Sequence, residues 1–278
     1  MSSCLEVRSV SDVEWEVRIV VNSRVEGYHE AVLQQGFPFP VVDSVSNGKC
    51  GMGKNACLDV FLQSDADYLS QIDGDDIVYP SYLQSLVNHL HHYPNIDVLG
   101  VVPADSLFDH DNVDVGYNWW VNDKFFASIW SSSMIAPDEN MGPQRGHLFT
   151  QHAPCTMDMI LLRSRQSAEI RFNEEIGNGE DHVHSYQLLG EHQRGNLRYF
   201  LSMSSDIFCG DRTAQESIQK THDYWEWLPI VREEASKCVD DLNRSSIWEL
   251  PVIYNNLEMN HLEKQEWLNR FLNDEGKV

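Results

Sequence analysis

The feature that most constrains this chain is the abrupt end of an apolar run on an acidic cluster. Tyr68-Leu69-Ser70-Gln71-Ile72 has the composition of a buried strand and passes without a spacer into Asp73-Gly74-Asp75-Asp76. Carboxylates packed this densely do not enter a core, because ionised groups are rarely buried without partners. The cluster therefore marks a strand end that faces solvent or a ligand. In open α/β sheets, ligands bind beyond the carboxyl ends of the strands, so the position itself is informative.

The surrounding pattern agrees with an α/β chain. Trp15 to Val21 is a β-rich run, Glu26 to Gln35 has helical character up to Gly36, and Val41-Val42 forms a second strand closing on Asp43. A glycine-rich stretch, Asn47 to Asn55, reads as a loop. A helix carrying Ala56, Leu58, Val60, Phe61 and Leu62 follows it. After the acidic cluster, Pro80 suits a helix start, and Tyr82, Leu83, Leu86, Val87 and Leu90 recur at helical spacing until Pro94. Ile96 to Val102, Met157 to Leu162 and Asn196 to Met203 read as further strands, and His182 to Leu189 as a helix. Between them, Ala104 to Gln151 is long, irregular and aromatic, which is the mark of a functional insertion. The tail from Asp223 onward reads as helices rich in Trp, Glu and Leu.

Composition narrows the function. A chain of 278 residues with 42% hydrophobic content can bury a large core. A formal charge of -23 opposes nonspecific binding to nucleic acid, so any bound phosphate needs a local source of positive charge. No segment approaches the roughly 18 to 20 apolar residues that span a bilayer. With no basic-then-apolar leader, the expected setting is the cytoplasm. The six cysteines, Cys4, Cys50, Cys57, Cys155, Cys209 and Cys238, lack zinc-ligand spacing and read as reduced, structural residues.

Hard carboxylate oxygens at Asp73 and Asp75 favour Mg²⁺ or Mn²⁺, and Gly74 lets the backbone turn so that both acids face one ion. A plain acidic turn capping the helix near Pro80 is the competing reading. An EF-hand is excluded, because Ile77 and Val78 stand where that loop needs an oxygen ligand and a glycine. Gly48-x-x-x-x-Gly53-Lys54 matches a phosphate-cradling P-loop except that Asn55 replaces the Mg²⁺-binding hydroxyl. An ATP-dependent phosphotransferase thus stays open as an alternative. Trp119, Trp120 and Trp130 suit stacking on sugar rings or packing of an inserted lobe, and a non-catalytic sugar-binding module is a second alternative.

Taken together, Val41-Val42-Asp43, Gly51-x-Gly53-Lys54-Asn55-x-x-Leu58 and Asp67-Tyr68-Leu69-x-x-Ile72-Asp73-Gly74-Asp75-Asp76 resemble the nucleotide-binding half of GT-A fold glycosyltransferases, particularly the inverting family 2. Downstream, Arg171-Phe172-Asn173-Glu174 followed by Gly179-Glu180-Asp181 resembles that family's Phe-x-Glu segment and Glu-Asp pair. The resemblance covers residues 15–103 and 147–190; the opening Val20-Val21-Asn22-Ser23-Arg24 departs from the family's usual Pro-Thr-Tyr-Asn-like segment. It implies that Asp43 contacts the nucleotide base and that Lys54 lies near the nucleotide and diphosphate. Asp73 would lie toward the ribose and metal, with Asp75 on the metal. It implies Asp181 as the general base, with Glu180 beside it raising its proton affinity, and His222 as a third metal ligand. His182 and His184 either face solvent or line an acceptor pocket.

The resulting expectation is an α/β, GT-A-like nucleotide-diphospho-sugar transferase fold with a mixed, mainly parallel central sheet flanked by helices. Residues 1–222 would form the catalytic domain, with 12–103 the nucleotide-sugar half and 104–222 the acceptor side, and 223–278 a helical C-terminal extension. The expected activity is metal-dependent, hexosyltransferase-like transfer from a nucleotide-diphosphate sugar to a glycan or other hydroxyl acceptor, with inversion.

Overall fold

The computed structural model describes residues 2–44, 48–74, 77–101, 105–107, 160–177, 179–202, 207–210, 224–242, 250–253, 259, 263–264, 266–267 and 270–271. Asp75, His222, Trp119, Trp120 and Trp130 lie outside the described residues.

The elements follow the α/β order. They run β1 (Ile19–Val21), α1 (Tyr28–Gln34), β2 (Val41–Asp43), α2 (Cys50–Leu62), β3 (Tyr68–Leu69), β4 (Ile77–Val78), α3 (Tyr82–His92), β5 (Val98–Val101) and β6 (Asp105–Leu107). Then come β7 (Ile160–Ser164), α4 (Arg165–Ala168), α5 (Glu180–Gln193), β8 (Tyr199–Ser202), β9 (Ile207–Gly210), α6 (Tyr224–Ser236) and β10 (Val252–Ile253).

The largest sheet has the order β10-β8-β5-β7-β3. β10 and β5 flank β8 in parallel, whereas β7 runs antiparallel to both β5 and β3. This sheet is therefore mixed in equal measure rather than mainly parallel. β1 and β2 pair in parallel as a separate ribbon, and β9 pairs antiparallel with β4 and parallel with β6.

Strand alternation divides the core into two layers. Val98 and Tyr199 face one side, where Leu58 and Phe61 of α2, Val183 and Leu189 of α5, and Val231 and Ala235 of α6 close the layer. Leu99 and Leu162 face the other, against Tyr82 and Leu86 of α3. The periodicity of α3 predicts this packing, and Pro94 keeps the helix from extending further.

Two further expectations need correction. The glycine-rich stretch is not a loop: α2 begins at Cys50, so Gly51 and Gly53 are helical. Glycine costs about 1 kcal/mol in a helix relative to alanine, but here close approach requires it. A Cβ at Gly51 would stand 2.9 Å from the Asn173 carbonyl oxygen, and one at Gly53 would collide with the Asn22 side chain. The tail, likewise, is not purely helical. It packs α6 against α5 and then adds β10 to the edge of the largest sheet. Trp267 also reaches the chain start, its Nε1 donating to Glu6 Oε2 at 2.7 Å.

Candidate functional site

The site gathers around the first half of α2. Asn22, just past β1, donates from Nδ2 to the Lys49 carbonyl at 3.3 Å, tying the carboxyl ends of the β1–β2 ribbon to the start of α2. Asp43 ends β2 and is exposed there. Asp73, half-buried after β3, is close enough to act electrostatically on Lys54, Cys50 and Cys57.

The third contribution comes from α5, whose first two residues are Glu180 and Asp181. Lys54 Nζ lies 2.9 Å from Glu180 Oε1, with the two side chains only 12% and 6% exposed. Burial alone disfavours the ammonium, but the carboxylates of Asp181, Glu180 and Asp73 outweigh it and hold Lys54 firmly protonated. Burial and the neighbouring Asp181 push Glu180 above the ordinary carboxylate range, against the pull of Lys54. With the ammonium in hydrogen-bond contact, the ion pair is the form the geometry favours. Asp181 is half-buried, and its Oδ1 accepts from the His182 amide at 2.8 Å.

Asn55 anchors the approach to α5. Its side chain pairs with Phe172 as a second backbone would: Nδ2 donates to the Phe172 carbonyl at 3.0 Å, and Oδ1 accepts from the Phe172 amide at 2.9 Å. Nδ2 also reaches Glu174 Oε1 at 2.7 Å. Arg171 adds Nη2 to the Asn55 carbonyl at 2.9 Å and an ion pair with Asp59 at 2.8 Å. These contacts hold residues 171–174 along α2 and so aim α5 at Lys54.

The P-loop reading lacks its structural context. Gly53 donates its amide to the Lys49 carbonyl at 3.0 Å within the helix, Asn55 is engaged by Phe172, and Lys54 by Glu180. The Gly53 amide is thus used in helix formation, and the Lys54 and Asn55 side chains are turned to protein partners instead of a phosphate.

His182 and His184 do not face solvent; they are 4% and 0% exposed. His184 stacks on Phe172 with ring centroids 3.8 Å apart, and its Nδ1 meets Gln187 Oε1 at 2.9 Å. Burial and then Arg163 keep it well below its ordinary pKa, hence neutral.

Some residues escaped the sequence reading. Cys50, the first residue of α2, is pushed up to about 11 by burial and then by Glu180, with Asp73 and Asp181 adding to this against Lys54. It is therefore a protonated thiol facing the acid cluster. Arg163 is buried on β7, where an arginine following Ile160-Leu161-Leu162 gives only the weak signal of a charge within a strand. Among the described residues no group of three His, Cys, Asp or Glu side chains is arranged to hold a metal ion. Asp73, Glu180 and Asp181 carry oxygens of the hard kind that Mg²⁺ or Mn²⁺ takes, but Glu180 is engaged by Lys54 and the three do not converge on one point. Among the described residues no helix is long and apolar enough to cross a membrane.

No protein-family model matches this sequence, and no curated protein matches it either. Its structure does have relatives. S. aureus TarS (residues 1–349, solved in complex with UDP-GlcNAc), a family 2 GT-A glycosyltransferase, aligns over 98% of this chain with a TM-score of 0.51 and 14% identity. The chain has the GT-A fold. It spans 66% of the length of the TarS structure, and at this identity the likeness concerns fold alone. The resemblance drawn from the Asp-Gly-Asp-Asp and Glu-Asp segments thus meets an independent likeness of the backbone.

Proposed function

We propose that this protein is a metal-dependent glycosyltransferase that moves a sugar, of hexosyl type, from a nucleotide-diphosphate sugar to a hydroxyl acceptor with inversion. One observation carries the reading. Residues from three separate segments, Lys54 near the start of α2, Asp73 beyond β3 and the Glu180-Asp181 pair opening α5, lie close enough to act on one another in a GT-A fold. The complex of TarS with UDP-GlcNAc makes uridine diphosphate sugars the first donors to test.

In this reading Asp43 faces the base and Asp73 the ribose and metal, with Asp75 and His222 completing the metal's protein ligands. A bound Mg²⁺ or Mn²⁺ supplies electrostatic stabilisation of the diphosphate leaving group. Lys54 lies near the nucleotide and diphosphate in this reading, its ammonium engaged by Glu180 at 2.9 Å rather than bonded to the donor. Asp181 accepts the proton of the acceptor hydroxyl as its oxygen bonds to the anomeric carbon. The anomeric bond to the diphosphate oxygen breaks, and its electron pair leaves with the nucleotide. A single displacement of this kind inverts the centre.

Calorimetry with a panel of nucleotide sugars, with and without Mn²⁺, tests the reading directly. Donor binding that needs the metal, together with an Asp181→Asn variant that binds donor but does not transfer, supports it. ATP binding that depends on Lys54 and ignores Asp181 would replace it with the phosphotransferase. Sugar binding without nucleotide would point to a binding module.

A further inference from the structure

Glu180 and Asp181 are neighbours in sequence with opposite surroundings. Glu180 is 4% exposed and bonded to Lys54 at 2.9 Å, whereas Asp181 is half-buried and, among the described residues, accepts its neighbour's amide. The next residue of α2 after Lys54 is Asn55, which grips Phe172 by both backbone groups. Phe172 in turn stacks on His184, a full turn into α5. Consecutive residues of one helix thus hold the segment leading into α5 and the first residue of α5 itself.

We propose that Lys54 and Glu180 form a positioning pair that docks the first turn of α5 on α2 and so sets where the Asp181 carboxylate stands, while Glu180 itself takes no proton from the acceptor. The role of Asp181 rests on the functional reading above; the division of labour between the two acids goes beyond it. A buried ion pair enforces its own geometry, because removing one partner leaves an uncompensated charge. A displacement of about 1 Å at a reacting group lowers the rate by about 10²-fold, so a pair of this kind governs turnover without touching substrate.

The test uses Glu180→Gln, Lys54→Met and the double variant, with Lys54→Arg as the conservative replacement. The double variant removes both charges together and stays measurable if a single variant fails to fold. UDP-GlcNAc with Mn²⁺ is the probe, followed by calorimetry for binding and by release of UDP for turnover. Each single variant is expected to lose turnover by about 10²-fold with donor affinity nearly unchanged. The double variant is expected to lose no more than either single, since the two side chains act as one unit. Lys54→Arg is expected to recover most of the turnover.

Wild-type turnover in Glu180→Gln overturns the proposal. So does a loss of donor affinity of about tenfold or more in both single variants, which would put the pair on the donor. Losses that multiply in the double variant overturn it as well. Should the wild-type chain bind no nucleotide sugar, the functional reading fails on that result alone. The pair is then judged by amide exchange over residues 181–185. Exchange there is expected to quicken at least about tenfold in Lys54→Met, and unchanged exchange overturns the pair.

Discussion

The two ends of α2 use positive charge in opposite ways. Toward its start, the Lys54 ammonium lies among the carboxylates of Glu180, Asp181 and Asp73. At its finish, Arg165 donates from Nη2 to the Leu62 carbonyl at 2.7 Å and from Nη1 to the carbonyls of Ser64 and Ala66 at 3.0 Å each. Arg163, buried on β7, gives Nη2 to the carbonyls of Ser167 and Ile170. Carbonyls carry no net charge, so the arginines satisfy a helix terminus and complete a structure. Carboxylates do carry charge, and their surplus around one lysine leaves a demand that a cationic or metal-bound ligand can meet. The same helix is therefore closed at one end and chemically open at the other.

Breaking the open end is expected to give the largest effect. Asp181→Asn is expected to lower transfer by about 10² to 10⁴-fold, the usual contribution of a positioned general base, with donor affinity retained. Rate assays beside calorimetry would check this, and full transfer in the variant would remove Asp181 from the chemistry.

The closed end should respond in stability alone. Arg165→Met strips three backbone carbonyls of their charged donor and is expected to destabilise the fold by about 2 to 3 kcal/mol, read by denaturant unfolding. Donor affinity per folded molecule should stay unchanged. A variant that lost donor binding without losing stability would erase the contrast between the two ends.

Between them, Asn55→Ala leaves the Phe172 amide and carbonyl without their buried partners, at about 1 to 3 kcal/mol. Because the same contact aims α5, this variant should lose both stability and turnover, unlike either end.

The smallest effect is in pH dependence. His184 is neutral in the fold because burial holds its pKa well below the usual value, whereas in the unfolded chain it titrates near about 6.5. Below that pH the unfolded chain binds a proton that the native one refuses, so stability falls with pH until the depressed folded value is reached. The slope is at most about 1.4 kcal/mol per pH unit for one group. His184→Gln should flatten it in unfolding curves taken from neutral to mildly acidic pH, and an unaltered slope would show that other groups dominate.

Legibility in the sequence followed the range of the interactions. Tyr82 to His92 was readable as a helix because Tyr82, Leu86 and Val87 repeat on one face between Pro80 and Pro94, all local information. The stretch Cys50 to Asn55 misled, because two glycines lower helix propensity locally while their packing partners, Asn22 and Asn173, lie far away in the chain. The histidines after Asp181 misled for the same reason: nothing nearby in sequence announces that Phe172 will cover His184. Of the site, residue types and their place at strand and helix ends were readable at Asp43, Asp73, Glu180 and Asp181. The inward turn of Glu180 was not.

The sequence by itself determined β1, β2, β3, β5, β7, β8, most of the helices and the placing of acids at their ends, but not β4, β6, β9 or β10, since hydrophobic period and proline or glycine stops act over a few residues. Tertiary structure alone decided that Lys54 meets Glu180, 126 positions away, and that the arginines of β7 and α4 turn to carbonyls rather than to a ligand. Such pairings depend on which surfaces the packed helices bring together, and buried charges accept only the partner that geometry delivers.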